Sequence, residues 1–259
     1  MRINPIGVFD SGVGGTSIWK EIHALLPNEN TIYLADSTNA PYGTKDANTI
    51  IDLSIKNTEY LLNRGCKVIV VACNTATTNA ISLLRNRYKI PFIGIEPSIK
   101  PAALQTKTNT IGILATKGTL SSALFSKTSS IYASNIKVVE QDGNGIVELI
   151  ESGKLFSNDM ILLLKAYLKP MIAANIDYLV LGCTHYPYLM PLLLELLPKH
   201  IKIIDSGEAV ARQTKAVLDK LDLLNLGLIK AKNEFYTNGS PGVLKSLLGE
   251  NFTVEYLDF

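Results

Sequence analysis

Two cysteines of this 259-residue chain stand in matched surroundings. Residues 68–77 read Val-Ile-Val-Val-Ala-Cys-Asn-Thr-Ala-Thr, and residues 178–186 read Tyr-Leu-Val-Leu-Gly-Cys-Thr-His-Tyr. In each, an apolar, β-favouring run ends in a small residue and then a thiol (Cys73, Cys183). Hydrogen-bonding side chains follow: Asn74 and Thr75 in the first, Thr184 and His185 in the second. A thiol near neutral pH can act as nucleophile, acid or base. Two thiols from two places in one chain suit a reaction that needs a sulfur on each side of one atom. Helical patterns begin at about Thr75 and about Pro187. The partial positive charge and free N–H groups of a helix N-terminus are expected to lower the Cys73 thiol and favour thiolate. His185 is placed to tune Cys183 or to act as an acid. Taken singly, each cysteine reads more readily as a buried structural residue; the matched pair argues for chemistry.

Asp10-Ser11-Gly12-Val13-Gly14-Gly15-Thr16 also follows a strand-like run and opens a helix. Its glycines let backbone N–H groups approach an anion, but the dinucleotide pattern fails at Ser17. A carboxylate or phosphate cradle fits better. Asp10, itself an anion, suits an ammonium or the proton of a thiol. Asn39-Ala40-Pro41-Tyr42-Gly43 is either a plain turn or a loop presenting the Tyr42 hydroxyl and backbone N–H groups over the same edge. Glu148 and Glu151, in a helical pattern at 144–151, read by residue type as solvated acids. His23 reads as structural and His200 as a loop residue. Cys66 precedes its strand and falls at the opposite sheet edge. With one well-placed histidine and no Cys/His cluster at ligand spacing, no metal site is expected.

Positioning these groups requires a particular architecture. Strand-like runs at 5–9, 31–35, 67–72, 92–95, 110–114, 136–139, 177–182 and 201–204 alternate with helical patterns such as 46–64 and 157–174. Strands apolar throughout point to parallel sheets covered on both faces by helices, with chemistry at the strand tips. Eight strands exceed one small open sheet. The prolines of Pro97-Ser98-Ile99-Lys100-Pro101 discourage a continuous element. A second seam falls at Asp205-Ser206-Gly207, an echo of Asp10-Ser11-Gly12. The expected fold is α/β, with two similar open parallel-sheet domains facing across a central cleft. The first comprises 1–97 plus 207–259, and the second, 98–206, is inserted. A hydrophobic content of 47% excludes wholesale disorder. A formal net charge of +2, spread along the chain, gives no case for nucleic acid. Three cysteines make no disulfide framework and suit a reducing cytosol. The sequence has neither a signal-peptide pattern nor a membrane-length apolar run, so a cytoplasmic protein without a membrane partner is expected.

At Gly7–Gly15, Asp36–Gly43, Val71–Ala76, Gly182–His185 and Asp205–Gly207 the chain resembles the glutamate racemases of the cofactor-independent aspartate/glutamate racemase superfamily. These stretches lie in the family's order over nearly the whole chain. The resemblance implies two facing α/β domains, each supplying one catalytic cysteine. It implies interconversion of L- and D-glutamate by Cα proton transfer between two thiols, without PLP or another cofactor. It further implies D-glutamate supply for peptidoglycan and a homodimer. Cys73 and Cys183 carry over as the acid/base pair, assisted by Asp10 and His185 respectively. Asp10, Ser11, Pro41, Tyr42, Gly43, Asn74, Thr75, Thr184 and His185 carry over as substrate-binding positions. A further assisting acid near the inserted domain's helix maps to Glu151 ahead of Glu148. Glu96-Pro97-Ser98-Ile99-Lys100-Pro101 departs from many members and resembles those activated by a cell-wall precursor, so such an activator is an expected partner beside glutamate. Three readings stay open: an aspartate racemase, a cysteine hydrolase or amidotransferase that would leave one thiol without a task, and a two-lobed ligand-binding protein.

Overall fold

The computed structural model describes residues 2–227 and 231–259. The first part of the chain runs β1 (Ile6–Asp10), α1 (Thr16–Leu25), β2 (Thr31–Ala35), α2 (Ala47–Asn63), β3 (Val68–Val71), α3 (Asn74–Arg87) and β4 (Phe92–Gly94). It continues through α4 (Ile99–Gln105), β5 (Thr110–Ala115), α5 (Lys117–Leu120), α6 (Ala123–Tyr132), β6 (Lys137–Asp142), α7 (Ile146–Glu151) and α8 (Asn158–Ala173). Then come β7 (Tyr178–Gly182), α9 (Met190–Leu196), β8 (Lys202–Ile204), α10 (Gly207–Lys220), β9 (Asn233–Thr237), α11 (Pro241–Leu248) and β10 (Val254–Tyr256). The strands form a six-stranded sheet, ordered β10-β9-β2-β1-β3-β4, and a four-stranded sheet, ordered β6-β5-β7-β8. Every pairing is parallel.

Local chemistry explains the elements. Asp46 accepts a hydrogen bond from the Thr49 N–H and starts α2; Ser157 accepts from the Met160 N–H and starts α8. Both helices fill the periodic stretches of the sequence. The central strands are buried on both faces: Ile6 and Val8 of β1 enter one core while Phe9 enters another. The largest core runs from Trp19 and Ile22 on α1 through Val210 and Leu218 on α10 to Leu179 and Leu181 on β7, so apolar packing joins the two sheets on one side. Among the described residues no helix is long and apolar enough to cross a membrane.

Three expectations need correction. The first sheet gains β9 and β10, which carry no uniform apolar run: in β9 only Phe235 and Thr237 are buried. Pro101 does not interrupt a helix but sits in the first turn of α4, where a missing N–H leaves nothing unpaired. Pro187 begins no α-helix directly; Tyr186–Leu189 is a 3-10 turn that leads into α9. The chain passes between the sheets at 95–98 and again at 204–207, and the two passages are tied. Ser98 Oγ donates to the Asp205 carbonyl at 2.9 Å and meets Ser206 Oγ at 2.8 Å, while Ser206 Oγ donates to the Glu96 carbonyl at 2.5 Å.

Candidate active site

Parallel strands deliver their C-terminal ends to one edge. From the first sheet come Asp10 at the end of β1, Asp36 after β2 and Cys73 after β3; from the second come Thr116 after β5 and Cys183 after β7. Ser11, Pro41, Tyr42, Gly43, Cys73, Asn74, Thr75, Thr116, Val147, Gly182, Cys183, Thr184 and His185 line one small cavity. Its free volume is about 10 Å³, the room of a single water. A recess of about 50 Å³ adjoins it, shares Pro41, Gly43, Thr116 and Val147, and adds Lys117, Asp142 and Glu148. Both thiols therefore face one enclosed space, with a mouth beside it. Sequence reasoning missed Thr116 and Val147. Thr116 ends an apolar run as the other site residues do, a usable signal; Val147 carries none.

Cys73 caps the N-terminus of α3, and its Sγ accepts from the Ala76 N–H at 3.4 Å and lies 3.7 Å from Ser11 Oγ. The expected lowering of this thiol is not what the structure gives. Burial, reinforced by the negative Asp10, pushes Cys73 up, and the Ala76 and Ser11 bonds offset only part of that. Asp10 is fully buried; its Oδ2 accepts from the Gly12 and Gly15 N–H groups at 3.1 and 3.0 Å, and its Oδ1 from Thr184 Oγ1 at 3.1 Å. Burial raises its carboxyl to about 6, against the pull of His185 and the two N–H groups. Asn74 Oδ1 is buried and, among the described residues, has no hydrogen-bond partner. Thr75 Oγ1 lies 2.8 Å from Thr116 Oγ1 and 3.2 Å from Thr119 Oγ1, a hydroxyl cluster spanning the two sheets.

The Cys183 side is built differently. Cys183 Sγ lies 3.7 Å from His185 Nδ1, and His185 Nε2 lies 2.6 Å from Glu151 Oε1. Burial works to lower the imidazole, but Cys183 and Glu151 together outweigh it and hold His185 well above its ordinary value. The protonated ring donates from Nε2 to Glu151. The Gly14 N–H, 3.2 Å from the same nitrogen, then finds no lone pair there. Glu151 Oε1 also accepts from the Val13 N–H at 2.7 Å, and Oε2 from Ser37 Oγ at 2.8 Å. Two glycines make room for these groups. A Cβ at Gly12 would fall 1.9 Å from Glu151 Oε1, and one at Gly14 2.2 Å from His185 Nδ1.

Other expected residues fall elsewhere. Tyr42 lines the cavity with its ring, but its hydroxyl is not presented to it. That hydroxyl donates to Asp36 Oδ2 at 2.5 Å and accepts from Asn57 Nδ2 at 3.1 Å, because a buried phenol needs partners. Asp205 repeats the local turn of Asp10, accepting from the Gly207 N–H at 2.7 Å, yet lies at the chain passages outside the cavity. Glu148 faces the mouth. His23 stacks on Trp19 with ring centroids 4.9 Å apart, and Cys66 lies buried just before β3, away from the strand tips.

Two parallel sheets meet at one cavity with a thiol from each, and the chain belongs to the Asp/Glu/Hydantoin racemase family, whose model matches residues 6–214. The glutamate racemase of Herpetosiphon aurantiacus is 45% identical over 241 residues, 93% of this chain and 95% of that protein. A glutamate racemase isoform from Bacillus anthracis superposes with a TM-score of 0.89 at 31% identity, covering 100% of this chain and 98% of that one. The Escherichia coli glutamate racemase, solved with L-glutamate and the activator UDP-MurNAc-ala, superposes with a TM-score of 0.86 at 32% identity over 98% of both chains. Within the family, the chain groups with the glutamate racemases, which are isomerases.

Proposed function

We propose that the cavity interconverts L- and D-glutamate, one of Cys73 and Cys183 removing the Cα proton while the other delivers its own proton to the opposite face. The observation that carries this reading is the meeting of two buried thiols, one from each sheet, at one enclosed space with unlike partners. Inversion at a carbon requires proton removal on one face and delivery on the other, and two fixed groups do this without turning the substrate. Burial and the Asp10 charge favour Cys73 as the thiol, the acid of the pair. His185 Nδ1, 3.7 Å from Cys183 Sγ, stands beside that sulfur as it acts as the base of the pair. After one turnover the base holds the proton taken from Cα and the acid has given its own to the opposite face, so the pair is set for the opposite direction. The Cα proton is weakly acidic, so charge must be stabilised as it develops. Ser11, Asn74 and Thr184 supply buried polar groups for the α-carboxylate, and the small closed cavity excludes water and strengthens each contact. Asn74 Oδ1, buried and without a hydrogen-bond partner among the described residues, suits the substrate ammonium.

The same reading assigns residues 1–97 with 207–259 to one domain and 98–206 to the other, working as a homodimer in the cytoplasm and supplying D-glutamate for peptidoglycan. Glu96, Pro97, Ser98, Lys100 and Pro101 line a recess of about 280 Å³ beside Ser206 and Gln213. We propose that it takes a cell-wall-precursor activator.

The decisive experiment is incubation with L-glutamate in deuterated water. Deuterium should enter Cα of both enantiomers, glutamate should outpace aspartate, and Cys73→Ala and Cys183→Ala should each lower racemisation by at least about 10³-fold. Wild-type racemisation by either variant would defeat the two-thiol reading. A trapped thioester would favour hydrolase chemistry instead.

A further inference from the structure

A free volume of about 10 Å³ admits no glutamate, so each turnover includes a parting and a return of the two sheets. The Cys183 side is built across that seam. Glu151 and His185 come from elements of the second sheet, whereas the groups that hold Glu151 come from loops of the first. The two anchors take different oxygens: Val13 N–H shares Oε1 with His185, and Ser37 holds Oε2. A carboxylate fixed at one oxygen still rotates about its broad terminal torsion; fixing both sets its plane.

Ser37 is itself held in place. It opens the 3-10 turn Ser37–Asn39 after β2. The Thr38 N–H donates to Asn238 Oδ1 at 3.0 Å, and Asn238 Nδ2 donates to Asp36 Oδ1 at 2.6 Å. Gly239 lies so close that a Cβ there would come within 2.6 Å of Ser37 Cβ.

We propose that Ser37 is a positioning residue for the Cys183 half of the reaction: when the sheets close, its hydroxyl fixes Glu151 in the plane that pairs with His185. Cys183 then gains its imidazolium partner in the closed state, and parting the sheets withdraws Ser37 and Val13 from Glu151 together. This rests on the two-thiol reading above.

The test compares Ser37→Ala with Ser37→Thr, which keeps the hydroxyl. Enantiomers have equal free energy, so kcat/KM must fall equally from L- and from D-glutamate. A drop of about tenfold is expected in Ser37→Ala, with recovery in Ser37→Thr. The discriminating readout is the Cα-deuterium isotope effect on kcat/KM from each enantiomer. Weakening Cys183 alone makes its proton transfer the slower of the two. The effect should grow from the enantiomer that Cys183 deprotonates and shrink from the other, whereas a merely loosened cleft moves both alike. Ser37→Cys, of the same shape with a weaker donor, gives the same comparison if the alanine variant does not fold. Isotope effects that shift together, or Ser37→Thr no better than Ser37→Ala, would overturn the proposal. If Cys73→Ala or Cys183→Ala racemises normally, the two-thiol reading fails; if both are inactive while the Ser37→Ala isotope effects match wild type, the Ser37 role alone fails.

Discussion

Asp10 carries a buried charge whose cost can be read against pH. Its carboxyl is raised from 3.8 to about 6 by burial. The folded chain therefore holds this proton more tightly than the unfolded chain does. Asp10 imposes no cost below pH 4, and stability falls as pH rises through about 6, by on the order of 3 kcal/mol for a shift of this size. Urea unfolding at pH 4 and pH 7 should show wild type losing more stability than Asp10→Asn over that interval. Glu151 acts with the opposite sign on His185. Glu151→Gln keeps the shape and removes the charge that helps hold the imidazole protonated. The alkaline limb of kcat/KM should move to lower pH, with a loss of about 10- to 100-fold. A limb that stays in place would mean that Glu151 does not tune His185.

The loop after β1 works by what it lacks. Gly12→Ala should reduce racemisation to background while leaving the circular-dichroism spectrum intact, because its Cβ meets Glu151 rather than the core. Asn238→Ala removes two side-chain bonds between the end of β9 and the 36–39 turn, one of them to Asp36. The expected loss is about 1–3 kcal/mol, measured as a lower urea midpoint. These elements also show what the sequence could reveal. Cys73, Cys183 and Asp10 end uniform apolar strands, so strand and chemistry were legible together. Phe235 and Thr237 alternate with half-buried polar residues on the strand next to the sheet's edge, and that pattern hid β9 and with it the clamp on Ser37. The direction of the Cys73 shift was illegible because helix capping shows in sequence, whereas full burial beside a second anion appears only in three dimensions.

At the scale of the molecule, a buried ion pair ties distant segments. Lys67 Nζ lies 2.5 Å from Glu29 Oε2 and donates to the Leu223 carbonyl at 2.9 Å, while Glu29 Oε1 accepts from the Asn225 N–H at 2.8 Å. Glu29→Ala would strand the ammonium in the interior, and a cost of about 3–5 kcal/mol is expected from equilibrium unfolding. The strand order has a consequence for biogenesis. All four strands of the second sheet lie between Thr110 and Ile204, but β2 of the first sheet must wait for β9, with Ala35 pairing to Thr237. On the ribosome, the later half of the molecule can finish folding while the earlier half still exposes an unpaired β2 edge. Vectorial synthesis thus runs against the usual N-terminal-first order. A stalled nascent chain lacking its last thirty or so residues would hold a complete second sheet and an open, aggregation-prone first one.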